Sequence, residues 1–484
     1  MQVQQEREEK FDVKRGWVLP DVGGLVPDGG SVLNEVRHLK SVYFDTADRG
    51  LLDLGVTLRR RVGGGDTGWQ LKVPAGSART ELRSGSRRLT PPKELAEAVA
   101  GLQGRQQLAP VATISTTRTA SRVIDAAGAA LFEIADDVVE SSTPDSLASS
   151  RRWREIEIEL GPAAGKKTLA KVASLLRSEG AKRSNNSNKL ERALGVDSPQ
   201  ARRARIGAGE RTKQGTIGAL VVDYLAEQCE VIACNDIALR VGAQVVHKTR
   251  VAVRRLRSTL RVFSDVMQPE QSSALDAELR WYAELLGAVR DCEVLAARLR
   301  DQIAQLPAQY VLGPVSSDIG ETLALDGRAA AAALSEGMSS SRYLQLLGTL
   351  RIWRTSPPLT EVADAKAAEA INHVRTAKRK AKKRLKQANG DAEKLHRARK
   401  AMKRLRYAAE LTKPARPKAA RVARKAKRVQ TQLGEHQDAV VSAAFLTRLG
   451  ARVGSTDGHN GFTYGVLLAS ELARAHRIRQ AITA

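Results

Sequence analysis

Two stretches of the chain carry rows of cations at helical spacing. At about 100° per residue, His247, Arg250, Arg254, Arg257 and Arg261 fall on one stripe of a helix. Val253, Leu256, Leu260 and Phe263 fall on the adjoining arc, so the apolar side can bury itself while a rigid rod holds the charges. The pattern returns 149 residues later. His396, Arg399, Lys403 and Arg406 take the matching places beside Met402, Leu405 and Ala409, and Glu410 stands where Arg261 stood. Arg255, Lys400 and Arg404 add to the two rows. Such rows attract polyanions: nucleic acid, anionic lipid or polyphosphate. Each histidine is expected to contact phosphate or to hold an arginine in place; metal binding by the pair is the alternative.

A second echo follows each row. Leu286-Gly287-x-x-x-Asp291 lies downstream of His247 and Leu433-Gly434-x-x-x-Asp438 downstream of His396, the glycines 40 and 38 residues on. A long-range repeat with matching internal spacing predicts a duplicated, pseudo-twofold helical domain whose two basic helices could line one groove. Asp291 and Asp438 are expected to orient arginines rather than touch a polyanion. The paired H-x-x-R-x-x-x-[RK]-x-x-R helices, each trailed by L-G-x-x-x-D, resemble the CHAD family of histidine-containing helical domains over residues 212–484. The resemblance implies binding of inorganic polyphosphate, with the histidines and cations just named as its binding residues.

Composition bounds the rest. The 484 residues, 42% hydrophobic, suffice for two or three domains with real cores. The start, MQVQQEREEKF, has no apolar core of a signal peptide, and no run is long and apolar enough to span a bilayer. Cys229, Cys234 and Cys292 lack zinc-like spacing and suit a reducing cytoplasm. The net charge is +26, and residues 371–430 hold 23 lysines and arginines against three acids. A low aromatic content, 4%, disfavours a single-strand nucleic-acid binder; duplex binding through phosphates stays open as a third reading.

The N-terminal part alternates with period two. Glu155, Glu157 and Glu159 point one way and Ile156, Ile158 and Leu160 the other. Arg59 and Arg61 share a strand face, as do Gln70 with Lys72, and Arg79 with Glu81 and Arg83. The run of glycines from Gly63 to Gly65 marks a turn, Arg118 lies in an extended run, and a further strand ends in Asp136-Asp137. Strands with one apolar and one charged face are simplest to satisfy as an antiparallel barrel with charges inside and helices outside. Residues 92–102 and 166–180 are the expected covering helices, and residues 141–150 form a polar insertion.

This layout resembles the CYTH family, the triphosphate tunnel metalloenzymes, over residues 1–196. The carrying residues are Glu6-x-Glu8-x-Lys10, Tyr43 to Thr46, Leu58-Arg59-x-Arg61, Leu71-Lys72-x-Pro74, Arg79-x-Glu81, Arg118, Asp136, Glu155-x-Glu157-x-Glu159-Leu160 and Ser187-x-Lys189. The resemblance implies hydrolysis of a terminal phosphoryl group. Lys10, Arg59, Arg61, Lys72, Arg79, Arg118 and Lys189 would cradle the phosphates, because guanidinium grips two oxygens at once. Glu6, Glu8, Asp136, Glu155, Glu157 and Glu159 would hold Mg²⁺ or Mn²⁺, hard cations that take oxygen ligands. Glu6, Glu8, Lys10 and Lys72 would be the catalytic group. No histidine lies in these motifs, so metal-bound water oriented by a carboxylate is expected.

The expected architecture is therefore α+β and multidomain. A barrel domain spans 1–197, a linker rich in Pro, Gly and Arg spans 198–213, and an all-α domain spans 214–484, with repeat halves at 214–305 and 365–484. The expected function is a metal-dependent hydrolase of inorganic triphosphate or polyphosphate carrying a polyphosphate-binding domain. The alternative is a non-catalytic adaptor on polyphosphate granules in the cytoplasm.

Overall fold

The computed structural model describes residues 2–483 apart from 15, 66, 76–77, 145, 197–213 and 456–459; the side chains of 2–6, 75, 146–149, 166 and 483 are also outside the description. The expected linker thus lies outside the described residues. The chain divides into two compact units, one centred on residues 1–205 and one holding most of the remainder.

The first unit is a ten-stranded, wholly antiparallel sheet. Its strands are β1 (Gln2–Glu6), β2 (Glu8–Asp12), β3 (Ser31–Asp45), β4 (Thr57–Val62), β5 (Gly68–Ala75), β6 (Ala78–Ser84), β7 (Ala109–Ile124), β8 (Ala130–Thr143), β9 (Ser146–Leu160) and β10 (Lys182–Arg183). The order is β1-β6-β5-β4-β3-β7-β8-β9-β2-β10. Only Arg7 separates β1 from β2, so one N-terminal segment pairs with β6 on one side and with β9 on the other. That segment bridges the edges of the curled sheet and removes most of its open edge. The expected polar insertion is the tip of the β8–β9 hairpin. After β4 the chain turns at Gly63, φ +97°, where a Cβ would lie 2.0 Å from the His38 carbonyl oxygen; only glycine fits there.

Period two is obeyed where it matters. In β9, Ile156 and Ile158 are fully buried in an outer cluster with Phe11, Phe132 and Val123, and α2 (Lys166–Ser178) covers it through Val172 and Leu176. α1 (Lys93–Gln103) buries Leu95 and Val99. The short α3 (Lys189–Leu194) is capped by Asn188, whose side chain accepts from the Glu191 amide, satisfying one of the helix's orphan donors. That cap places Lys189 at the first turn.

The second unit is all-α. Its helices are α4 (Ile217–Arg240), α5 (Val246–Val262), α6 (Pro269–Gln305), α7 (Val315–Ser339), α8 (Ser341–Thr355), α9 (Ile371–Lys386), α10 (Ala392–Thr412), α11 (Ala419–Val453) and α12 (Phe462–Thr483). α10 stops where Pro414 and Pro417 forbid its continuation. Helices α6, α7, α11 and α12 share one core: Leu295, Leu299, Val315, Ile319, Leu323, Phe445, Leu446, Leu449, Tyr464 and Leu467. The amphipathic α5 and α10 pack on each other. No described helix is long and apolar enough to cross a membrane.

Candidate active site and anion-binding centre

The barrel interior is a tunnel lined from several walls by charge. β4 contributes Arg59 and Arg61, β5 Lys72, β6 Arg79, Glu81 and Arg83, and β7 Arg118. β2 contributes Glu8 and Lys10, β9 Glu157 and Glu159, and α3 Lys189. Arg59 donates to Gln70 at 2.7 Å and to the Tyr43 hydroxyl at 3.0 Å. Arg61 donates to Ser41 at 3.3 Å. These neutral partners hold the arginines in place while leaving their charge uncompensated by them.

One side of the tunnel is a tight ionic network. Arg118 grips Asp137 through two bonds, 2.8 and 2.7 Å, and reaches Glu157 at 2.6 Å. Lys189 lies 2.8 Å from Asp137, 2.8 Å from Glu155 and 2.7 Å from Glu157. Lys10 pairs with Glu157 and, at 3.7 Å, with Glu8, which Arg79 approaches at 3.3 Å. Burial alone would raise the pKa of Glu157, but Lys10, Lys189 and Arg118 hold it well below the usual carboxylate range. Burial likewise opposes ionisation of Glu8, yet Lys10, Lys72 and Arg79 bring it to about 2. Both carboxylates stay ionised throughout the physiological range.

Asp137, Glu155 and Glu157 each place an oxygen within 4.8 Å of the others, a buried acidic cluster that could hold a metal ion. Two buried oxygens, Glu155 Oε1 and Glu81 Oε1, accept no hydrogen bond; the Lys189 ammonium lies near the former without hydrogen-bond geometry. An all-oxygen, carboxylate donor set is the kind a hard divalent cation takes, although the Lys189 ammonium stands among these oxygens.

The expected site residues divide as follows. Glu8, Lys10, Arg59, Arg61, Lys72, Arg79, Arg118, Glu157, Glu159 and Lys189 line the tunnel, and Glu155 joins its ionic network. Glu6 pairs in register with Arg79, but its side chain lies outside the described residues. Asp136 is a correction. It faces away from the tunnel and binds Arg154 through two bonds of 2.8 and 2.6 Å. Its neighbour Asp137, fully buried, is the inward carboxylate, because the register stacks Arg118, Asp137 and Glu155 across three strands. Sequence reasoning also left Glu81 out of the ligand set, although Arg79-x-Glu81 was in the motif.

Asp137→Asn would leave two buried cations short of a partner, and should destabilise the barrel by about 3 kcal/mol or more. Asp136→Asn breaks a more exposed pair, and should cost less than about 1.5 kcal/mol. Chemical denaturation of both variants checks the assignment.

In the helical unit the long-range repeat becomes geometry. Arg250 lies over Gly287, with Nη2 3.5 Å from where a Cβ would be, and pairs with Asp291 at 2.8 Å. Arg399 lies over Gly434 in the same way, at 3.4 Å, and approaches Asp438 at 3.9 Å. The glycine provides the seat and the aspartate steers the guanidinium. His396 Nδ1 lies 2.9 Å from Gln437 Oε1. Burial, with nearby cations, lowers the pKa of both His247 and His396.

The stripe of cations is not one continuous row. Arg257 and Arg261 are tied to Asp276 at 3.0 and 2.6 Å. Arg255 and Arg406 are tied to Glu410 at 3.1 and 2.8 Å, and Arg255 lies over the Tyr407 ring. Lys400 is exposed, and Arg404 faces Arg261 and Arg384. What remains around Lys403, between α5 and α10, is a like-charge centre of Arg254 and Arg399 together with Arg250, whose charge Asp291 offsets in part. Arg254 Nε and Arg399 Nε are buried without a hydrogen-bond partner. Lys403 is pushed down to about 6, by burial first and then by Arg399, Arg254 and Arg250, with Asp438 opposing. Converging basic side chains, two of them with buried N–H groups that nothing satisfies, could hold an anion.

A charge-lined tunnel in a curled antiparallel sheet, followed by a duplicated helical unit with paired cationic helices, defines a two-domain class. A CYTH domain model matches residues 30–194 and a CHAD domain model residues 223–447. The chain belongs to the family that joins these two domains. An uncharacterised protein of Mycobacterium tuberculosis is 33% identical to it over 504 residues, covering 99% of this chain and 95% of that protein. Among solved structures, PptA from Streptomyces chartreusis is similar at 18% identity and a TM-score of 0.48, over 55% of this chain and 98% of that one. The CHAD domain from the plant Ricinus communis is similar at 28% identity and a TM-score of 0.43, over 57% and 96%. The CYTH match begins downstream of Glu6-x-Glu8-x-Lys10, yet that segment is built into the sheet as β1 and β2.

Proposed function

We propose that the barrel is a metal-dependent hydrolase of inorganic triphosphate or short polyphosphate, and that the helical unit binds inorganic polyphosphate. The observation that carries this reading is the tunnel itself, where cations from β4, β5, β6, β7 and α3 face carboxylates from β2 and β9. A triphosphate needs cations on several walls at once, and this interior supplies them. As Lys72 and Arg79 turn to phosphate, their hold on Glu8 weakens, and its carboxylate becomes a better acceptor for a water proton. Arg59 and Arg61, positioned by Tyr43, Gln70 and Ser41, would place guanidinium charge where negative charge develops on the departing phosphate. Glu8, Glu157 and Glu159, with Asp137 and Glu155, would hold a divalent cation, which supplies positive charge at phosphate oxygens and a more acidic water.

Product analysis with several substrates tests the substrate class. Inorganic triphosphate should be consumed faster than ATP or thiamine triphosphate; faster ATP turnover would contradict the reading. A binding-only role has one observation in its favour, the Lys189 ammonium set among the three acids that a metal would need.

The helical unit carries its own pH signature. A bound polyanion recharges Lys403, so binding at pH 7 to 8 should take up a proton, and affinity should rise as pH falls from 8 to 6 beyond the trend in Lys403→Met. Calorimetry in two buffers of different ionisation enthalpy measures the uptake. Without ligand, the folded value of about 6 lies below the ordinary 10.5. The unfolded chain then holds more protons inside that window, and this group's contribution to stability rises with pH through it.

A further inference from the structure

Two helices at equivalent places in the repeat carry opposite charge. α4, ahead of the first cationic helix, has Asp223, Glu227, Glu230 and Asp236 against Arg240 alone. α9, ahead of the second, has eight lysines and arginines and no acid. Its apolar side, Val374, Ala377 and Ala381, is buried, while all eight cations, from Arg375 to Lys386, are exposed. Arg375 donates to Asn372 and Arg379 to Thr376; none of the eight pairs with a carboxylate among the described residues. Packing through small apolar residues needs only a polar outer face. Eight uncompensated charges repel each other and cost stability, so the fold gives no reason for them.

The field is joined to the central cluster on one side only. Arg384 of α9 faces Arg404 of α10, the residue next to Lys403. On α5 the outward cations Arg257 and Arg261 are already held by Asp276 of α6. The opening turns of α6 are mixed: Glu270 and Glu284 are exposed, Arg280 is exposed beside them, and Glu278 is held by Arg342 at 2.6 Å. Those of α11 present Arg421, Arg424, Lys425, Lys427 and Arg428 to solvent. A chain of phosphates leaving the Arg254–Lys403 centre meets mixed, largely compensated charge over the first repeat and bare cations over the second.

We propose that α9 is an extension surface for the overhang of a long polyphosphate chain, so that the helical unit runs such chains in one direction, over its second repeat. This rests on the reading of the central cluster as a polyphosphate site. The chemistry of α9 favours a flexible linear polyanion over nucleic acid or lipid. Its one ring, His373, is stacked on Phe263 at 4.6 Å and offers no platform for a base, and its apolar side is occupied within the fold and cannot enter a membrane.

The test uses the full chain and the triple variant Lys378→Glu, Lys382→Glu, Lys386→Glu, with fluorescent inorganic polyphosphate of about 10 and about 100 phosphates. The variant should lose roughly tenfold or more in affinity for the long polymer, reduce its salt slope by about 2, and bind the short one as before. Unchanged long-chain affinity would overturn the proposal, and so would equal losses on both lengths, which mean a diffuse field rather than a surface. The matching Lys→Arg variant should bind like the wild type; a loss there would place the effect in packing and also overturn it. Duplex DNA displacing the long polymer as readily as polyphosphate itself would overturn the choice of partner. Failure of the wild type to bind either length would instead remove the underlying polyphosphate reading.

Discussion

Glu8→Gln should lower phosphate release from inorganic triphosphate by about 10² to 10³-fold at saturating metal, with polyphosphate binding by the helical unit unchanged. Glu8 is the carboxylate where Lys10, Lys72 and Arg79 meet. Gln keeps the size of the side chain and removes its charge, so both the attraction for a divalent cation and the capacity to accept a proton go together. The substitution also leaves Lys10 with Glu157 as its remaining close partner, so the fold should persist. A circular-dichroism melt within a few degrees of the wild type, with turnover lost, is the expected pair of results. Retained turnover would move the chemistry off β2.

Reversing Arg250, Arg254, Arg399 and Lys403 to Glu should abolish polyphosphate binding, a loss of about 10³-fold or more at moderate salt. Triphosphate turnover should stay close to that of the wild type. These four converge between α5 and α10, and two of them bury N–H groups that nothing in the fold satisfies. A matched variant at Arg257 and Arg261 should lose far less, because Asp276 already offsets their charge. Equal losses from the two variants would mean that affinity follows net charge and not the cluster.

The parts of this arrangement that were legible in the sequence share one property: a period strong enough to survive without knowledge of partners. Glu155, Glu157 and Glu159 alternate with two isoleucines that are fully buried, and the strand had only one way to face. The Gly287 and Gly434 echoes were legible because duplication printed them twice, and the structure supplies their meaning, a seat for an arginine.

Other parts depended on register. Asp136 and Asp137 are adjacent acids on β8, where Ile134 and Ala135, of opposite parity, are both buried. Burial on both faces erases the phase, and only pairing with Arg118 and Glu155 selects Asp137. The first ten residues of β3 are largely exposed, and their apolar members Val32, Leu33, Val36 and Leu39 do not alternate, so they carry no clear strand pattern, and the strand is legible only near Tyr43. The ties of Arg257 to Asp276 and of Arg255 to Glu410 join residues 19 and 155 positions apart. No local rule links such partners, so the sequence predicts two unbroken cationic rows where the fold makes a centre flanked by neutralised pairs.

The central claim is that the tunnel turns over a triphosphate with the help of a divalent cation. The direct measurement is phosphate release from inorganic triphosphate by the purified full chain, with Mg²⁺, with Mn²⁺ and with a chelator. The account predicts release with a divalent cation and none with the chelator. No release with either metal, while polyphosphate still binds tightly, would contradict it and leave the barrel as a phosphate-binding module.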